Sequence, residues 1–194
     1  SYFFFSHTIK KEPYNRKLLQ AILDKNITLY DHEVLVDKFH QRLIGFGYYA
    51  GVVGAYNGFR ALGLKFDIFH LPKANTLVDR LALNQQLDQI KVPTVKIILT
   101  GKGRVGQGAK EILDHLNIRQ VSVNQFLNDK FEEAVYVQLD VLDYCERHDG
   151  MSLGKKDFFE FPKAYKSIFD RFTNIGDFFI AGHYFGKDAP VFFT

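Results

Sequence analysis

From residue 101 the chain reads Gly101-Lys102-Gly103-Arg104-Val105-Gly106, three glycines in a Gly-x-Gly-x-x-Gly spacing. An apolar run, Val95–Thr100, precedes it, and an apolar-periodic stretch, Val105–Leu116, follows it. That is the strand–turn–helix context in which the spacing has chemical meaning. Gly101 permits a tight turn out of the strand, Gly103 lets the backbone approach an anion, and Gly106 lets the helix lie close on the strand. The first turn of a helix offers unpaired N–H groups and a positive dipole end, which suits the pyrophosphate of a dinucleotide. The set expected to touch such a cofactor is Gly101, Gly103, Arg104, Val105 and Gly106, with Lys102 adding charge. A glycine turn that holds nothing is the alternative reading.

Proteins of this type meet the cofactor's ribose with an acidic residue about 20 positions further on, at the end of the second strand. The second strand is read here as Arg119–Asn124, so Asn124 occupies that place. An amide still hydrogen-bonds a ribose hydroxyl but does not repel a 2′-phosphate. NAD remains the expected cofactor, NADP is left open because Asn124 would not repel it, and Asp129 is a second choice for the ribose contact. Asp140, Asp143, Glu146, His148 and Asp149 gather carboxylates and a histidine. Hard cations take such ligands, yet a run of this kind reads first as a solvated loop, and no metal site is assigned. The seven histidines lack the spacing of a zinc site, and Cys145, the only cysteine, has no partner at two residues' distance.

The elements that must position these residues follow from periodicity. Tyr2–Ser6 is aromatic and continuous, and reads as a buried strand. Pro13 opens a helix that runs to Lys25 through Leu18, Leu19, Ile22 and Leu23. Ile27–Tyr30, Glu33–Val36 and Arg42–Phe46 read as short strands. Small residues at Ala50, Gly51, Gly54, Ala55 and Gly58 indicate a helix, ending at Gly63, that packs very closely against a neighbour and so offsets its poor intrinsic propensity. Leu71–Asn75 is a linker, and Thr76–Leu87 is an amphipathic helix. Strands follow at Val95–Thr100, Arg119–Asn124, Val135–Leu139 and Asp177–Gly182. Residues 140–176 are polar and irregular apart from a helix from Pro162 to Phe172. The alternation predicts a parallel sheet. The aromatic group Phe158, Phe159, Phe161, Tyr165, Phe169 and Phe172 is read as core or dimer contact, which leaves a homodimer open.

The chain has 194 residues, 46% of them apolar, enough for a substantial core. Its net charge of +3 is spread along the chain and argues against a nucleic-acid partner. No run approaches the ~20 apolar residues of a membrane helix, and Ser1–Phe5 lacks the basic flank of a signal peptide. A lone cysteine fits a cytoplasmic location. A chain that opens without Met, directly into a core strand, reads as part of a longer protein.

Three stretches carry a resemblance. Phe5-Ser6-His7-Thr8-Ile9-Lys10, Leu29-Tyr30-Asp31-His32-Glu33 and Arg42-Leu43-Ile44-Gly45-Phe46-Gly47-Tyr48-Tyr49-Ala50-Gly51 resemble the lysine-forming, NAD-dependent saccharopine dehydrogenases, which group with the alanine dehydrogenases and the transhydrogenase nucleotide domains. Gly106-Gln107-Gly108-Ala109 and the stretch Asp177–Thr194 fit the same family, whereas residues 125–170 diverge from it. The resemblance implies an oxidoreductase that converts saccharopine to lysine and 2-oxoglutarate, with hydride transfer from a secondary amine followed by imine hydrolysis. It implies that His7 is the acid/base, that Lys10 lies beside it, that Glu33 tunes the local charge, and that Arg42 stands near the nucleotide. Without the resemblance, His7 reads as a strand-ending histidine, and Lys10 and Arg42 as surface charges. The family's catalytic lysine falls upstream of Ser1 and a cofactor-holding aspartate falls downstream of Thr194, so the chain alone is expected to bind nucleotide weakly and turn over little or no substrate.

The expected architecture is α/β, a Rossmann-type parallel sheet with part of a second α/β domain. Residues 1–45 would end a substrate-binding domain, 46–70 would form the interdomain helix, and 71–194 the NAD-binding domain, with a small-molecule amino-acid substrate. An alanine-dehydrogenase-like enzyme and a non-catalytic nucleotide-binding module are the alternatives.

Overall fold

The computed structural model describes residues 1–184, 186 and 188–192. The chain forms two compact units, Ser1–Phe46 and Gly47–Thr194.

In the first unit, β1 (Tyr2–Phe4) and β2 (Leu29–Asp31) pair in parallel, joined through α1 (Arg16–Asp24). Pro13 starts a 3-10 turn, Pro13–Asn15, that leads into α1. The strand expected to be buried is exposed: Tyr2 and Phe3 are 57% and 63% accessible. A two-stranded sheet covers only one of its faces, so Phe3 instead stacks on Tyr30 with ring centroids 4.5 Å apart. Glu33–Val36 and Arg42–Phe46 are not strands. The Asp31 carboxylate accepts the Glu33 N–H at 2.9 Å, which draws His32–Val34 into a 3-10 turn. Val36 and Arg42 meet in an isolated antiparallel bridge. The 3-10 turn reflects the ordinary competition of a short acidic side chain with the backbone for its own N–H groups.

The second unit opens with α2 (Gly47–Phe66), followed by α3 (Arg80–Leu87), β3 (Lys96–Thr100) and α4 (Arg104–His115). Asp79 caps α3 by accepting from Ala82 N–H at 2.8 Å, which is why the helix begins there and not at Thr76. Next come β4 (Arg119–Gln120), α5 (Val123–Asn128), β5 (Val135–Leu139), α6 (Val141–Tyr144) and β6 (Cys145–Arg147). The described elements end with α7 (Lys155–Glu160), β7 (Tyr165–Ser167), α8 (Asp170–Thr173) and β8 (Phe178–Ala181). The expected second strand is cut to two residues because Ser122 and Gln125 form a capping box that starts α5. The expected helix over 162–172 is broken into a 3-10 turn, β7 and α8, with β7 paired antiparallel to β6.

The fold is mixed α/β with a parallel four-stranded sheet, as the sequence indicated, and the strand order is β4-β5-β3-β8. Alternate residues of β3 face opposite sides. Ile97 and Leu99 pack under α2 and α4 with Val52, Phe59, Ala109 and Ile112. Ile98 packs on the other side with Val137, Phe126, Phe169 and Phe172. The segments 123–128 and 141–172 therefore supply the cover of the second face. Of the aromatic group, Phe158, Tyr165, Phe169 and Phe172 are buried, whereas Phe159 and Phe161 are exposed. The close helix packing read from the small residues is the crossing of α2 with α4. A Cβ on Gly51 would collide with the Val105 carbonyl oxygen and stand 2.8 Å from Ala109 N. A Cβ on Gly108 would collide with the Tyr48 carbonyl oxygen.

Candidate functional site

In the first unit, three of the residues singled out from sequence converge on the carboxylate of a fourth, Glu33. The Glu33 side chain is 1% exposed. His7 Nδ1 lies 3.0 Å from its Oε2, and Lys10 Nζ and Arg42 Nη2 lie 3.2 and 3.1 Å from its Oε1. The three partners are roughly half exposed. A buried carboxylate is stable only when paired, and this one has three donors. Two of them carry a permanent positive charge, so the surface above Glu33 is cationic. Arg42, expected near the nucleotide, is held here with His7 and Lys10.

Local backbone explains how the donors meet. His7 adopts φ 55°, the left-handed region, as it caps the 3-10 turn Thr8–Lys10. That conformation costs a non-glycine residue about 1 kcal/mol, and here it turns the imidazole toward Glu33. Lys10 follows at the end of the same turn. Beneath them, Ser6 donates its hydroxyl and its N–H to Asp31, and its hydroxyl oxygen accepts the Thr8 N–H at 3.1 Å. The Phe5 ring lies 6.1 Å from His7, 5.4 Å from His32 and 5.1 Å from Phe46. Neither Ser6 nor Asp31 was singled out as a site residue; their signal is position, one residue before His7 and two before Glu33.

Both carboxyls titrate below their ordinary range. For Glu33, burial acts to raise the pKa, but hydrogen bonds from Lys10 and His7 and their charges outweigh it. For Asp31, burial is likewise outweighed by Ser6, the Glu33 and Ser6 N–H groups and the charge of His7. A depressed carboxyl adds stability above its unfolded pKa of about 4 and loses it as pH falls through the folded value. We expect the first unit to be at full strength above about pH 5 and to weaken steadily below pH 4. Thermal melts across pH 2–7 measure this, and the joint substitution Asp31→Asn and Glu33→Gln should flatten the acid limb. An unchanged slope in that variant would contradict the assignment.

In the second unit the glycine turn sits at the carboxyl end of the sheet. Gly101 adopts φ +90°, and a Cβ there would collide with the Gly182 carbonyl oxygen and stand 2.7 Å from His183 N. A Cβ on Gly106 would collide with the Gly101 carbonyl oxygen. A Cβ on Gly103 would meet nothing within 4 Å. Gly103 is the N-cap of α4, and no side chain caps it. The first-turn N–H groups of Arg104, Val105 and Gly106 therefore lack the intrahelical acceptors that later residues have. Two glycines are required by crowding, and the third faces open space at a helix N-terminus. Those features fit a bound pyrophosphate.

The turn is tied to both neighbouring strands. Gly101 N–H donates to the Leu139 carbonyl at 2.8 Å, and Gln138 Nε2 donates to the Gly101 carbonyl at 3.0 Å. On the other side, Thr100 Oγ1 lies 2.6 Å from His183 Nδ1. Burial lowers the His183 pKa and favours its neutral form. Neither Gln138 nor His183 was anticipated. A polar residue inside the otherwise apolar run Val135–Leu139 is the signal that marks Gln138.

Asn124 is placed differently from the expectation. It lies in α5, beyond the edge strand β4, where its side chain accepts from Asn128 Nδ2 at 2.9 Å. Two strand spacings, about 9–10 Å, separate β4 from β3. Asp129 caps the far end of α5. The acidic residues of 140–149 are each engaged locally: Asp140 and Asp143 form a capping box on α6, Glu146 pairs with Lys166, and Asp149 with Arg147. The hydrogen bonds of Arg147 hold the Asp149 carboxyl down at about 2. Cys145 is buried, and burial pushes its thiol up to about 12. Among the described residues no helix is long and apolar enough to cross a membrane.

No family model matches the chain. Individual proteins do match. The chain is 26% identical over its whole length to α-aminoadipic semialdehyde synthase, mitochondrial, of Mus musculus. It is 29% identical to the Rattus norvegicus protein of that name over 64% of the chain. Saccharopine dehydrogenase [NAD(+), L-lysine-forming] of Candida glabrata is 28% identical over 61% of the chain. The matched region makes up 23%, 15% and 35% of those three proteins, respectively. The chain is thus a relative, along its full length, of the α-aminoadipic semialdehyde synthases and, over most of it, of a saccharopine dehydrogenase.

Proposed function

We propose that this chain contributes the dinucleotide site and the acid/base cluster of a saccharopine-dehydrogenase-type oxidoreductase that uses NAD. The observation that carries the reading is the uncapped N-terminus of α4, with crowded Gly101 and Gly106 on either side of open Gly103. The names of the relatives supply the substrate, and the cationic surface over Glu33 suits the carboxylates of an amino-acid substrate.

Oxidation removes a hydride from the carbon beside the secondary amine, and the amine nitrogen gives up its proton. The C=N bond so formed takes up water, and its C–N bond breaks to release L-lysine and a keto acid. The nicotinamide supplies the acceptor for the hydride. In this scheme His7 takes the amine proton on Nε2, because Glu33 engages Nδ1 and fixes the tautomer. Glu33 also stabilises the imidazolium formed, and Lys10 and Arg42 bind substrate carboxylate.

Calorimetric titration of the chain with NAD, NADH and NADP tests the cofactor half. We expect saturable binding of NAD or NADH. Gly103→Val should weaken it at least tenfold, about 1.4 kcal/mol, because its side chain enters the open space above the turn, with only a small fall in melting temperature from the poorer N-cap. No binding of any dinucleotide would sink the proposal. Turnover assays with saccharopine, alanine and lysine separate it from an alanine-dehydrogenase-like activity.

A further inference from the structure

We infer that Asp140, at the end of β5, is the residue that reads the adenosine ribose of the bound dinucleotide. The inference rests on the dinucleotide reading and goes beyond it, to the residue that decides between a 2′-hydroxyl and a 2′-phosphate. In the usual order of such sheets, the strand after the glycine-turn helix lies beside the glycine-turn strand and carries the acidic residue at its end. Here the order is exchanged. β4 follows α4 in sequence but lies at the edge, and β5 is inserted between it and β3. The strand that neighbours the glycine turn therefore ends not at Asn124 but at Leu139, and the next residue is Asp140.

Two hydrogen bonds hold the end of β5, just before Asp140, against the turn. Leu139 accepts the Gly101 N–H at 2.8 Å. Gln138, just before that, donates to the Gly101 carbonyl at 3.0 Å. Lys102, inside the glycine turn, acts electrostatically on the Asp140 carboxylate. The carboxylate is ionised: burial is outweighed by the Lys155 hydrogen bond, the Val141 N–H and the Lys155 and Lys102 charges. Its Oδ1 accepts from Val141 N–H at 2.8 Å, and its Oδ2 pairs with Lys155, whose side chain is half exposed. Each carboxylate oxygen has two acceptor sites, so room remains for ribose hydroxyls, and Lys155 is free to swing aside or to meet a phosphate. A ribose diol donates to Asp140. A 2′-phosphate is repelled by it and attracted by Lys155.

The test measures NAD and NADP dissociation constants by calorimetry for the full chain and three variants. Asp140→Asn keeps the N-cap of α6, since asparagine caps as well as aspartate, so the fold is retained. Its NAD:NADP affinity ratio should shift toward NADP by about tenfold, the worth of one hydrogen bond to a charged group. Lys155→Ala should shift the ratio the other way. Asn124→Asp should leave it within twofold. If the wild-type chain binds dinucleotide but Asp140→Asn leaves the ratio unchanged, or Asn124→Asp shifts it instead, the inference fails and the dinucleotide reading stands. If the wild-type chain binds neither, both fall.

Discussion

Replacing Gly51 by valine is expected to lower the melting temperature of the second unit by about 6–12 °C. The position lies mid-helix in α2, where a larger side chain would ordinarily help. At the crossing with α4, however, a Cβ would collide with the Val105 carbonyl oxygen and stand 2.8 Å from Ala109 N. Both neighbours are backbone, so neither can swing aside. Overpacking of this kind costs about 3 kcal/mol, and a domain of this size loses about 2–4 °C per kcal/mol. Gly54 is three residues further along the same helix, and a Cβ there meets nothing within 4 Å. Gly54→Ala should therefore stabilise, by about 0.4–1 kcal/mol. Parallel thermal melts of the two variants separate helix propensity from close approach. Equal melting temperatures would mean that α2 and α4 do not cross at Gly51 and Gly108.

In an enzyme that joins this chain to the catalytic lysine the resemblance calls for, His7→Asn is expected to reduce turnover of saccharopine by about 10²–10⁴-fold, the usual contribution of a general acid/base. Asparagine tolerates the left-handed backbone that His7 adopts, so the 3-10 turn at Thr8–Lys10 should form as before. NAD affinity should stay within twofold, because the glycine turn is a separate structure in the second unit. The measurement is kcat and its pH profile for wild type and variant, with NAD binding as the second readout. Loss of the profile's His-dependent limb together with unchanged nucleotide affinity is the signature of proton transfer. A variant that keeps wild-type turnover would remove His7 from the chemistry.

The glycine turn was legible because each of its constraints is local. A tight turn with φ +90° at Gly101 and a helix that starts at residue 104 follow from six consecutive residues and their flanking apolar runs. β3 and β5 were equally plain, being largely apolar. The first unit was harder. Asp31 captures the Glu33 N–H, and that one hydrogen bond turned an expected strand into the 3-10 turn that sets Glu33 between its partners. Ser122 did the same to the end of β4. Periodicity carries no information about which backbone N–H a nearby side chain will take.

By itself the sequence determined the α/β class, the strand–turn–helix with its uncapped helix N-terminus, and the need for a close-packed glycine helix, because these depend on spacing within one or two elements. Only the tertiary structure decided three things. It brought His7, Lys10 and Arg42 onto Glu33, from positions up to 35 residues apart in the sequence. It turned the aromatic residues of 123–128 and 141–172 into the cover of the sheet's second face. And it placed β5 beside the glycine turn, with Asp140 just past the end of that strand. The reason is the same in each case: strand order and long-range pairing follow from how whole faces are buried, and no local pattern in the chain records which neighbour a face will find.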